Sequence, residues 1–175
     1  SRFTMSKKIQ ILLIVFMLLA AGRPVEAASP TSASVSIQAS ATVMDKSEIE
    51  LITVKNMEIN ASMAEEGRIY ISAQRNPHAG MMMIKGKAGS SFRISFLPVA
   101  EITNTVGKGS LFFQYEVYGY ENDNQGASEP IDAAERILKM NKEGLYYFWI
   151  GGRIDIRKAR PGSYSGEFTI EVEYI

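Results

Sequence analysis

Strict alternation of apolar and polar residues marks the segment around residue 170. Phe168, Ile170, Val172 and Tyr174 alternate with Glu167, Thr169, Glu171 and Glu173. Period two gives an extended strand one apolar and one polar face, as a half-buried antiparallel sheet requires. Residues 35–43 repeat the pattern, with Val35, Ile37, Ala39, Ala41 and Val43 set between Ser36, Gln38, Ser40 and Thr42. Further strands are predicted at Glu48–Val54, Arg68–Ala73, Met81–Lys85, Phe92–Leu97, Leu111–Tyr120 and Arg153–Arg157. Leu145–Ile150 is apolar on both faces, which predicts a central strand. Turn residues separate most of these runs: Pro77–Gly80, Lys87–Ser90, Asn141–Gly144 and Pro161–Ser163. Short strands at this spacing predict a sandwich or barrel. Asp132–Met140 is ambiguous. Asp132 followed by Glu135 resembles a capping box for one or two helical turns, and Ile137–Met140 reads equally as a short strand.

The first part of the chain changes the picture of compartment. Lys7 and Lys8 precede an uncharged apolar run, Ile11–Ala21, and Val25-Glu26-Ala27 places small or apolar residues where a signal peptidase reads. This is the pattern of a cleaved export signal over residues 1–27, with Met5 as a plausible start. The run is too short for a membrane span, which needs about 20 apolar residues. Residues 28–34 read as a flexible leader and 35–175 as a single domain. Cleavage removes four of the 19 basic and one of the 19 acidic residues, leaving a formal charge of −3. A mildly acidic domain without a basic cluster argues against nucleic acid as a partner. The absence of cysteine excludes disulfides, thiol catalysis, cysteine-based zinc sites and an acylated lipoprotein anchor. The expected location is secreted: periplasm, cell surface or medium, with no membrane span after cleavage.

The motif Phe148-Trp149-Ile150-Gly151-Gly152-Arg153-Ile154-Asp155-Ile156, followed by Pro161-Gly162-Ser163-Tyr164-Ser165-Gly166 and the alternating strand to Tyr174, resembles the signature of the bacterial family of unknown function DUF4402. Met82–Gly86 and Phe92–Pro98 resemble its upstream block. The resemblance implies an exported immunoglobulin-like β-sandwich without assigned biochemistry. Gly162, fourteenth from the end, and the penultimate Tyr174 resemble a second pattern, that of chaperone–usher pilin subunits. That likeness implies an incomplete sandwich closed by a strand from a neighbour. Val35–Val43 is then either such a donor strand or the first strand of its own complete sandwich. The disulfide common in those pilins is absent.

Chemistry-bearing residues are sparse. Glu167, Glu171 and Glu173 share a strand face, but a solvated face explains them better than a glycosidase pair. The loop Glu121–Gly126 is rich in oxygen ligands without calcium-site spacing. His78 has no partner residues in sequence that would suggest zinc or a nucleophile pair. Met81–Met83 reads as core filling, and Asn60-Ala61-Ser62 is a glycosylation sequon that a bacterial source makes incidental. The aromatic set Tyr115, Tyr118, Tyr120, Tyr146, Tyr147, Phe148 and Trp149 reads mainly as packing, with Tyr118, Tyr120 and Trp149 as candidates for stacking on a sugar. Gly151, Gly152 and Gly166 suggest bulges or close backbone approach. Tyr164, after the turn at Gly162, suggests a tyrosine corner.

The expectation is an all-β protein, an immunoglobulin-like antiparallel β-sandwich with at most one short helix. It has no catalytic residues, metal site or cofactor. Its expected role is a structural or adhesive surface module, which the second resemblance extends to a pilin-like subunit, pairing through the edge residues Val35, Ile37, Ala39, Ala41, Val43, Phe168, Ile170, Val172 and Tyr174. Like subunits or a periplasmic chaperone would be the partners. The alternative is a sandwich that binds surface glycans or another surface ligand.

Overall fold

The computed structural model describes residues 33–43, 49–133 and 136–175. The expected export signal (1–27) and leader residues 28–32 lie outside the described residues. Among the described residues, twelve strands follow in order: β1 (Ala33–Val43), β2 (Glu50–Lys55), β3 (Met57–Asn60), β4 (Arg68–Ile71), β5 (Gly80–Lys85), β6 (Ser91–Phe96), β7 (Val99–Asn104), β8 (Ser110–Tyr120), β9 (Glu129–Pro130), β10 (Arg136–Lys139), β11 (Leu145–Asp155) and β12 (Gly162–Tyr174). Helical structure among the described residues is two single 3₁₀ turns, Ala61–Met63 and Gln125–Ala127.

The pairing gives two layers. One runs β10-β6-β12-β1-β3 and the other β2-β5-β11-β8-β7, with β4 continuing beside β11 past the end of β5 and the short β9 beside β8. All pairs are antiparallel except β1 with β12. The layers are joined at both sides. After Asn56 the chain leaves β2 in one layer and enters β3 in the other, and β7 pairs with β8 along its length but also touches β12 at Tyr164 and Ser165. This is an immunoglobulin-like β-sandwich.

Alternation decides what lies inside. Phe113, Phe148, Ile150, Phe168, Ile170 and Val172 are buried between the layers with Phe92, Ile94 and Ile102. The rings pack edge-on or tilted, Tyr115 against Phe168 at 4.4 Å between centroids and Phe92 against Tyr146 at 5.3 Å, in the arrangements that aromatic quadrupoles favour. No disulfide supports this core.

At Asp132–Met140, where a helical turn and a short strand were both open, the chain forms strand β10; its Leu138 faces the core while Ile137 points outward. Ala134 and Glu135 lie outside the described residues. The leader was expected to reach Ser34, yet Ala33 and Ser34 already pair with Gly162 and Ser163 in β1. Leu145–Ile150 and Arg153–Arg157 are one strand, β11, carried straight through Gly151-Gly152. Strands β3 and β7 were not predicted.

Candidate functional site

The closing strand is the first element of the candidate site. β1 lies parallel on β12 for its whole length: Val35 opposite Tyr164, Ile37 opposite Gly166, Ala39 opposite Phe168, Ala41 opposite Ile170 and Val43 opposite Val172. Its other edge pairs antiparallel with β3, from Ser34–Asn60 to Ile37–Met57. Val35 and Ile37 enter the core, 3% and 1% exposed. The candidate edge residues are therefore brought together within one chain, which fills its own groove. Phe168, Ile170 and Val172 are fully inside. Tyr174 is half-buried, and its hydroxyl accepts the Lys87 N–H at 2.9 Å.

The signature residues fix the entry to this strand. Gly162 opens β12 with φ of 134°, beside Asn104. Tyr164 is buried, and its hydroxyl donates to the Arg160 carbonyl at 3.0 Å. That is the tyrosine corner expected from sequence. At Gly166 a Cβ would collide with Ile102, so the missing side chain lets β7 and β12 close together.

The outer face of the β11 layer is the second element. Cross-strand register aligns Ile52, Met83, Tyr147 and Tyr120 in one row and Met81, Trp149 and Tyr118 in the next. After β4 the chain crosses this face at Gly151, where a Cβ would overlap the Ile71 carbonyl oxygen and sit 2.6 Å from Ala73 N. The crossing is pinned by Glu116, whose carboxylate accepts the Ala73 N–H at 2.9 Å. Gln125 reaches over from the 3₁₀ turn to donate to the Ala73 and Asn76 carbonyls. Gln74 returns the contact by donating to the Ser128 carbonyl.

This cover corrects one candidate. Trp149 is 3% exposed and stacks on Tyr147 at 6.3 Å, so it presents no face to a ligand. Tyr118 and Tyr120 remain half-exposed.

Below the crossing the same face opens into a groove of about 670 Å3. Its walls carry Tyr70, Phe112 and Val99, all exposed, and its floor carries Gln114 and Arg153. The Arg153 guanidinium lies 4.9 Å from the centre of the Tyr70 ring, a cation–π contact. The Tyr70 hydroxyl donates to Glu116 at 2.9 Å; burial first, and this bond second, push its pKa up. At one end Asp155 accepts from the Arg157 side chain and backbone, which holds its carboxyl well below the usual range.

Other polar candidates are occupied by structural bonds. Glu173 pairs with Arg93 at 2.8 Å, and Glu171 accepts from Ser95 at 3.2 Å. Within 121–126, Asn124 caps the 3₁₀ turn by accepting the Ala127 N–H. Asn60 caps the other turn in the same way, accepting from Ser62 N. His78 lies in the crossing loop, where its backbone N–H donates to the Asn76 side-chain oxygen at 2.8 Å. Sequence reasoning missed Tyr70 and Phe112. Both are polar-face positions occupied by aromatics: Phe112 breaks the alternation at Leu111-Phe112-Phe113, and Tyr70 sits between Ile69 and Ile71.

Comparison with known proteins gives a family match. A family model described as a domain of unknown function, DUF4402, covers residues 27–174. No curated protein matches the chain.

Proposed function

We propose that this chain, which belongs to the DUF4402 family, is a non-enzymatic, secreted structural or adhesive module of the cell surface that assembles by β-strand addition. The observation that carries the reading is the placement of β1. This strand closes a slot between β12 and β3 and supplies the core residues Val35 and Ile37. A strand held in this way can be exchanged for the same strand of another copy with every hydrogen bond preserved. Because the slot is filled within the chain, assembly proceeds by swapping β1 between like subunits, or by a periplasmic chaperone holding β12 until β1 docks. A pilin-like domain that lacks a strand is not required.

The test uses two differently tagged batches of protein, unfolded, mixed and refolded at high concentration. Strand exchange gives co-purifying dimers and larger species that persist in SDS without boiling. A variant lacking residues 33–43 should form none by itself and should take up a synthetic peptide of those residues. Monomers under all conditions, with no peptide uptake, would falsify the proposal.

A second reading, a module that binds a surface glycan or another surface ligand, is favoured by the exposed Tyr70 and Phe112 flanking Gln114 and Arg153. Aromatic walls with polar groups between them suit a sugar ring. Loss of glycan retention in Phe112→Ala, with the fold intact, would support it.

A further inference from the structure

The outer groove holds a cation that the protein leaves without a counter-charge. Register aligns Val99, Gln114, Arg153 and Tyr70 in one row across β7, β8, β11 and β4, all exposed. Arg68, Arg93, Arg136 and Arg157 each lie beside a carboxylate. Arg153 has no such partner among the described residues. Its flat guanidinium is braced on the Tyr70 ring, 4.9 Å from the centroid. That contact uses one face of the group and leaves its in-plane N–H donors available.

The acids of this face are committed or set back. Glu116 accepts from the Tyr70 hydroxyl and from the Ala73 N–H. Asp155 is held by Arg157 and lies 3.9 Å from Arg68. Glu65, bridged to Arg68, and Glu101, opposite Phe112, belong to the next register row. Phe112 stands in that row too, two residues from Gln114 along β8, with its side chain 67% exposed. At ~3.4 Å per residue and ~4.8 Å between strands, its Cα lies on the order of 8 Å from that of Arg153. One six-membered sugar ring laid on Phe112 spans that gap, with a ring substituent reaching the guanidinium.

We propose that the ligand of this groove is an acidic sugar: a pyranose whose ring lies on Phe112, whose carboxylate is taken by Arg153, and whose hydroxyls meet Gln114. This rests on the second reading above, that the groove holds a sugar, and names the class of sugar. A carboxylate matches the planar guanidinium fork with two parallel hydrogen bonds, and guanidinium is the more weakly hydrated of the two basic side-chain cations. The adjoining recess shares Gln114 and Arg153 but is also lined by Glu116 and Asp132. A second carboxylate placed there would be repelled. The ligand is therefore one acidic residue on a neutral glycan, not a chain of uronates.

The experiment is an NMR titration of the intact protein with methyl β-glucuronide. Methyl β-glucoside, the same ring with a hydroxymethyl group in place of the carboxylate, is the comparison. Both should shift the backbone signals of Phe112, Gln114 and Arg153, and the glucuronide should bind about fivefold tighter, the range of a partly exposed ion pair. Arg153→Gln, at an exposed position, should erase the preference and leave the glucoside affinity unchanged. Tri-galacturonate should bind no more than about threefold tighter than the single glucuronide, because the neighbouring recess is acidic. Equal affinity for glucuronide and glucoside, or a preference that survives in Arg153→Gln, would overturn the acidic-sugar assignment and leave a sugar-binding groove standing. A large gain with tri-galacturonate would overturn the limit to one carboxylate. No shift at Phe112, Gln114 or Arg153 with any of these sugars would overturn the assignment and the sugar reading together.

Discussion

Ile37 is the residue through which β1 is anchored, and shortening it to alanine measures that anchor. The side chain is 1% exposed and belongs to the same cluster as Val35, Met57 and Ile59. Ile37→Ala removes three carbons, worth about 2.4 kcal/mol in transfer at ~0.8 kcal/mol per methylene. The cavity left behind adds a further term, and buried Ile-to-Ala changes cost about 2–5 kcal/mol in all. A loss near 3 kcal/mol is expected, a fall of roughly 6–12 °C in Tm for a domain of this size. Urea unfolding followed by Trp149 fluorescence suits the measurement, because the domain has one tryptophan and it is buried. Phe112→Ala, at a side chain 67% exposed, is the control and should stay within about 0.5 kcal/mol. An Ile37→Ala cost below about 1 kcal/mol, matching that control, would mean that β1 does not pack on β12 in solution, and the reasoning about strand exchange would fall with it.

Three further outcomes follow from the geometry. Gly151→Ala should destabilise by at least about 2 kcal/mol in the same urea assay, because the new methyl meets backbone atoms of Ile71 and Ala73 and not a flexible side chain; a change within 0.5 kcal/mol would show that the crossing segment is elsewhere. Tyr164→Phe should cost about 1 kcal/mol through loss of the bond to the Arg160 carbonyl, and an unchanged urea midpoint would remove the corner from the account. Burial raises the Tyr115 and Tyr146 hydroxyls to about 12, above the usual 10. A raised folded pKa gives stability that is complete below pH 10 and lost as pH climbs through 12, so the urea midpoint should fall across that window. Tyr115→Phe should flatten the fall, and a midpoint constant from pH 9 to 12 would contradict the assignment.

The sandwich was legible because its core strands alternate. In β12 and β8 the buried residues are the apolar positions of a period-two pattern, and pairing follows from burying that face. Tyr164 and Gly166 were legible because a turn and a close approach demand few residue types. β7 was missed because Val99–Asn104 buries only Ile102 fully, leaving no pattern to read. β3 was missed because four residues at a sheet crossing carry too short a signal. Trp149 misled for a different reason. Its strand places it on the outer face, and only the segment that follows β4, crossing at Gly151, turns that face into interior. The outer groove was hidden likewise, since Tyr70, Gln114 and Arg153 come from three strands whose adjacency is a matter of register.

The parallel direction of β1 on β12 has a mechanical consequence. Ala33 lies beside Gly162 at one end of the pair and Val43 beside Val172 at the other. Tension entering ahead of Ala33 and leaving past Tyr174 pulls the two strands along their length in opposite senses. The load is then shear, shared by the whole ladder of eleven paired positions. An antiparallel strand in the same place would present its first bond alone and peel open bond by bond. A module on a surface exposed to flow would therefore yield all at once, at a high force, or not at all.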